Sequence, residues 1–151
     1  MAINRQPIFT ANPILQYTQF DPVIPTDLHN TSAATAVYTD NSTHGSLITK
    51  ITVNSPAALG DRVTTKRIYL MITDKNDAKY NIFDSKLMTG IATPIVATDT
   101  PPSVVFEFPT GLITSPDTIL GIAATMNGAG GYPEGDRLVV IVEGGTYDEP
   151  A

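Results

Sequence analysis

Two stretches of this chain alternate apolar and polar side chains with a period of two. Residues 46–54 read SLITKITVN, with Leu47, Thr49, Ile51 and Val53 on one side and Ile48, Lys50, Thr52 and Asn54 on the other. Residues 137–143 (RLVVIVE) repeat the period, Leu138, Val140 and Val142 opposing Val139, Ile141 and Glu143. Successive side chains of a strand point to opposite faces, so the pattern predicts sheets with one face on a core. The 12 prolines are spread along the chain, and Pro56, Pro94, Pro101, Pro102, Pro109, Pro116 and Pro133 fall where strands should stop. A proline removes a ladder donor, which suits many short strands and argues against long helices.

Further candidate strands lie at 36–39, 66–73, 79–84, 103–108 and 118–125, with the last strand starting at 136. Asp74-Lys75-Asn76-Asp77 has the composition of a hairpin turn. Ile95-Val96-Ala97 is a possible edge segment, and Gly111-Leu112-Ile113 followed by Ser115-Pro116-Asp117 reads as a turn. Gly128, Gly130 and Gly131 read as a loop, and the acidic tail from Thr146 as frayed. Residues 1–25 differ from the rest. Pro7, Pro13, Pro22 and Pro25 punctuate paired apolar residues (Ile8-Phe9, Ile14-Leu15, Val23-Ile24), which predicts an extended arm with one strand at 14–20, lying against its own sandwich or a neighbouring subunit.

A chain of 151 residues is one domain by size, long enough to bury about two-thirds of its unfolded surface. The expected fold is all-β: a single β-sandwich of jelly-roll or related Greek-key topology at 26–151, preceded by the arm at 1–25.

The chemical inventory is thin. Nine Lys and Arg against 15 Asp and Glu give a formal charge of −6, the wrong balance for a phosphate-backbone binder, so no nucleic-acid partner is expected. Lys50, Arg62, Lys66 and Arg67 form the only basic strip, read as solvated strand-end charge. With no cysteine there is no disulfide framework, thiolate nucleophile or Cys-based metal site. The opening MAINRQPIFTANP has no apolar signal core, and no stretch approaches the roughly 20 apolar residues of a membrane helix, so neither export nor a membrane is expected.

His29 and His44 are the two conventional bases; both sit in Asn-, Ser- and Asp-rich loops fifteen positions apart, without metal-ligand spacing or a G-x-S-x-G elbow. Glu107 lies between Phe106 and Phe108 and points outward if those are core. Asp74-Lys75-Asn76-Asp77 lacks the Gly and bidentate Glu of a calcium loop. No catalytic residue, metal or cofactor is expected, and the chain is read as a non-enzyme.

The segments TAVYTDNSTHGSLITKITVNSPA, RIYLMITDKNDAKYNIFD, SPDTILGIAAT and RLVVIVEG, spanning about 35–143, resemble auxiliary capsid (head decoration) proteins of β-sandwich type from tailed bacteriophages, as in crAss-like phages. The resemblance implies a structural virion protein, assembled in the host cytoplasm and bound to the capsid surface. Its partners would be the major capsid protein and other virion proteins, with the chain present as a homo-oligomer or as lattice-bound copies. The arm is where contact is expected, through Ile8, Phe9, Ile14, Leu15 and Tyr17 against capsid or neighbouring subunit. The alternative is a carbohydrate-binding or host-recognition module with Tyr38, Tyr132 and Tyr147 as stacking surfaces.

Overall fold

Eight alternating segments become eight strands, and their pairing is that of one long hairpin folded over on itself. In the computed structural model, which describes residues 12–22, 25, 27–77, 79–126 and 137–148, the strands are β1 (Asn12–Phe20), β2 (Thr35–Thr39), β3 (Ser46–Asn54), β4 (Lys66–Asp74), β5 (Asn81–Met88), β6 (Ser103–Thr114), β7 (Thr118–Met126) and β8 (Leu138–Thr146). β1 pairs with β8, β2 with β7, β3 with β6 and β4 with β5, all antiparallel. The tip is the predicted Asp74 turn, where the Asp74 carboxylate accepts the backbone N–H groups of Asn76 (2.8 Å) and Asp77 (3.1 Å). Two further ladders, β3 with β8 and β4 with β7, roll this hairpin into sheets ordered β1-β8-β3-β6 and β2-β7-β4-β5. Eight strands in this arrangement are a jelly roll.

The core lies between the sheets. Ile48, Ile51, Val53, Phe106, Leu138, Val140 and Val142 from the first sheet meet Val37, Ile68, Leu70, Met88, Leu120 and Ile122 from the second, all buried. Each such side chain contributes on the order of 1.5–3 kcal/mol on burial. Between edge strands β5 and β6 the gap is closed by Phe83 against Phe108, ring centroids 6.2 Å apart, and by the Lys86 ammonium 5.8 Å from the Phe106 ring.

Several expectations change at the bulges. The clean alternation of SLITKITVN is broken: Ile48 and Ile51 are both buried, three positions apart, because Thr49 and Lys50 together occupy the outer side. Opposite β8 the register jumps from Ile48↔Gly144 to Lys50↔Glu143, a β-bulge with two residues facing one. Gly144 permits it, since a Cβ there would lie 2.0 Å from the Leu47 carbonyl oxygen. On the other side β6 does not turn at Gly111 but continues to Thr114. Gly111, with φ of 83°, sits where residues 108–111 bulge out, after which Leu112–Thr114 rejoin Ile48–Ser46. β5 likewise runs on to Met88 and β8 through Gly144-Gly145 to Thr146. Residues 95–97 form no strand; Ile95 instead exchanges backbone hydrogen bonds with Gly60 and Asp61.

The N-terminal boundary moves as well. The strand expected at 14–20 is present, and it belongs to the sandwich: β1 pairs with β8 at nine positions from Asn12↔Thr146 to Phe20↔Leu138. The sandwich therefore includes residues assigned from sequence to the arm, because alternate side chains of β1, Ile14 and Phe20 among them, pack on the shared core. The loop read at Gly128–Gly131 lies outside the described residues.

Lys66 is not solvated strand-end charge. Its side chain is fully buried, and its ammonium donates to the Ser55 hydroxyl at 3.0 Å. A buried ammonium must be held by polar partners, and this one ties the start of β4 to the end of β3. Arg67, one residue on, faces the opposite side and is exposed.

Candidate functional site: the outer face of the first sheet

The register of β1, β8, β3 and β6 lays the outward side chains of the first sheet in rows that cross all four strands. One row reads Pro13, Gly145, Leu47, Ile113; the next reads Leu15, Glu143, Lys50, Glu107; the third reads Tyr17, Ile141, Thr52, Val105; the fourth reads Gln19, Val139, Asn54, Ser103. Leu15, Tyr17 and Ile113 are 75%, 62% and 71% exposed, unusual values for side chains of this size on a regular strand. Ile141, Val139 and Val105 are half-buried by their neighbours within the face. Among the described residues no segment lies across this sheet.

The charged row is ordered. The Lys50 ammonium is 3.5 Å from a Glu143 carboxylate oxygen, and Glu107 is the register partner of Lys50 on the other side. The bulge at Thr49 produces this arrangement by turning both Thr49 and Lys50 outward; the Thr49 hydroxyl caps the Glu143 carbonyl at 3.2 Å. A shallow groove beside it is walled by Leu15, Phe108 and Pro109. The Tyr17 hydroxyl donates to Gln19 at 3.0 Å, which holds its ring along the strand.

The expected contact residues divide. Ile14 turns inward and packs against the core, while Leu15 and Tyr17 turn outward, because neighbours on a strand face opposite sides. Ile8 and Phe9 lie outside the described residues. Glu107 is exposed on the outer face, as expected with Phe106 in the core.

The two histidines sit in loops held by carboxylates. The Asp27 carboxylate accepts the His29 backbone N–H at 3.0 Å. His44 meets the Asp148 carboxylate both through its backbone N–H (2.8 Å) and its ring Nδ1 (3.2 Å), and Asp148 also accepts the Thr43 N–H at 2.9 Å. These donors, that of Thr43 first, hold the Asp148 carboxyl below the usual range. As far as Asp148 the tail is thus clasped rather than frayed, residues 149–151 lying outside the described ones: the Asn12 side-chain amide also donates to the Asp148 carbonyl at 3.2 Å, joining the start of β1 to the end of β8.

A second anchor escaped the sequence reading. Asp40 is buried at the end of β2, where its carboxyl accepts the Thr114 hydroxyl at 2.6 Å, the Ser42 N–H at 3.0 Å and the Ser42 hydroxyl. Its sequence signal is the Asp-Asn-Ser turn pattern. Tyr38, expected as a stacking surface, is a buried residue of β2 with its hydroxyl 2.7 Å from that of Ser46. Burial raises its pKa. Tyr147 is half-buried and Tyr132 lies outside the described residues. Among the described residues no three His, Asp or Glu side chains stand where they could share a metal ion.

Fold and face together define a jelly-roll sandwich whose exposed chemistry is a sheet surface. Comparison with protein-family models, with curated proteins and with solved structures gives no match.

Proposed function

We propose that this protein is a structural, non-catalytic virion component, an auxiliary or decoration protein that holds to the major capsid lattice and stabilises the head. The observation that carries the reading is β1. This strand is pinned to β8 along its whole length, yet it turns Leu15 and Tyr17 to solvent, and the sequence before it carries the apolar pair Ile8-Phe9. A rigid edge strand with an adhesive stripe suits attachment to a neighbouring surface, because large exposed apolar side chains gain by burial against a partner. The jelly roll supports the reading at the level of architecture, being used by capsid proteins as well as by lectins and cupins; fold by itself does not select among these. Many copies on a lattice convert modest single-site affinity into avidity.

The test is the composition of particles. Virions of the encoding phage, banded on a density gradient, should contain this chain in a fixed ratio to the major capsid protein. Particles with a full complement of capsid protein and none of this chain would contradict the reading.

A further inference from the structure

We infer that the outer face of the β1-β8-β3-β6 sheet is a homodimer interface, its occupant the same face of a second copy related by a two-fold axis running along the strands between β8 and β3. It deepens the virion reading by naming a second copy as the neighbouring surface that takes Leu15 and Tyr17; particle composition tests that reading and self-association tests this inference, so the two fail separately.

The order of charges across the sheet is what selects a second copy. From β6 to β8 the row reads Glu107, Lys50, Glu143, negative, positive, negative. A two-fold axis between β3 and β8 exchanges those two strands, so Lys50 of one copy lies over Glu143 of the second copy and Glu143 over its Lys50. The same rotation exchanges β1 with β6, so the exposed ring of Tyr17 lies over Val105 of the second copy, and Leu15 covers the stem of its Glu107. Ile141 lies over Thr52 in the adjoining row. An isologous interface requires this kind of self-complementarity. It matters here because a chain of formal charge −6 repels its own copies unless charges at the contact are paired.

The extent of the face is sufficient. Four strands at about 4.8 Å spacing and nine residues at about 3.3 Å rise give a footprint of about 570 Å² per copy. Two copies thus bury about 1,100 Å², above the ~1,000 Å² expected of a specific interface. Sheets of like twist pack face to face at about −30°, which keeps the central rows, with Lys50, Glu143, Thr52 and Ile141, in register near the axis.

Sedimentation equilibrium of the full chain, with circular dichroism to verify folding, tests the inference. The wild type should form a dimer. Lys50→Glu should weaken the dimer at least about tenfold, because it stacks like charges at the centre. Tyr17→Ala should weaken it through lost apolar contact, independently of charge. Lys50→Glu combined with Glu143→Lys should restore association to within about threefold of wild type, since the pairing is re-formed with reversed signs. A wild type that stays monomeric to about 1 mM overturns the inference. So does a dimer indifferent to Lys50→Glu and Tyr17→Ala, or one that the double variant fails to restore. If deleting residues 1–11 converts a monomer into a dimer, the chain's own N-terminal segment is the occupant; if a monomer binds capsids through Leu15 and Tyr17, a foreign surface is. Either result also overturns it.

Discussion

The two outward faces of this sandwich are finished differently. Over the centre of the second sheet the chain covers itself, while Ile82 and Leu87 on its edge strand β5 stay 41% and 49% exposed. Thr31 and Tyr80 form a bridge with hydrogen bonds in both directions, Leu28 accepts the Ile82 N–H, and Met71, Ala123 and Tyr80 are buried with Ala34, Tyr69 and Ile119 around them. Tyr80 comes so close to the sheet that a Cβ on Gly121 would lie 2.6 Å from its ring. On the first sheet Leu15, Tyr17 and Ile113 stay exposed and Ile141 and Val105 half-buried. Both faces carry apolar side chains, and among the described residues the chain closes only the centre of the second. The difference teaches that outward apolar residues in this chain are of two kinds, those closed by a loop of their own chain and those that no described residue covers.

The largest expected effect separates the two kinds by stability. Met71→Ala should cost about 2–5 kcal/mol in urea unfolding, as for a large side chain removed from a packed site. Leu15→Ala, measured on dilute protein, should stay within about 0.5 kcal/mol of wild type. Equal losses would erase the distinction.

A smaller effect probes the closure itself. Gly121→Ala should destabilise by about 1–3 kcal/mol, because the new methyl group displaces the Tyr80 ring from the sheet. The accompanying readout is Tyr80: its phenol titrates above the ordinary range because burial penalises the phenolate. Alkaline difference spectra should show that tyrosine moving back toward normal in the variant, and an unaltered titration would mean that the ring is not held against Gly121.

The mildest effect concerns the clasp that holds the end of the bare sheet. The folded Asp148 carboxyl lies below its ordinary value of 3.8, chiefly through the Thr43 N–H and then that of His44. A carboxyl with a depressed folded pKa adds stability above its unfolded pKa and loses it as pH falls through the folded value. The urea midpoints of wild type and Asp148→Asn should therefore differ at pH 6 and converge below pH 3.8. A gap that persists at low pH would assign the stabilisation to something other than the carboxylate.

How much of this was readable in advance depends on where the deciding partner lies. Strand positions were legible, because alternation in RLVVIVE and its counterparts is local. The phase of β3 was not. LITKI carries apolar residues in both phases, and the switch at Thr49 is permitted by Gly144 and Gly111, which are remote in sequence. Ile14 and Leu15 pose the same problem: two adjacent apolar residues on a strand give no sign of which faces the core until β8 fixes the register. Lys66 looked like surface charge because its buried partner, Ser55, is an ordinary serine eleven positions away. The extent of the outer face was similarly hidden, since Tyr17, Ile141, Thr52 and Val105 come together only through three ladders.

The central claim, that the chain closes the centre of one outward face while a second copy covers the other, is tested most directly by hydroxyl-radical footprinting of the full chain over a range of concentrations. Leu15, Tyr17 and Ile113 should be modified readily in dilute solution and become protected together as concentration rises, while Met71 and Tyr80 stay protected throughout. Modification of Leu15 and Tyr17 that is independent of concentration, or Met71 and Tyr80 reacting as fast as they do, would contradict the account.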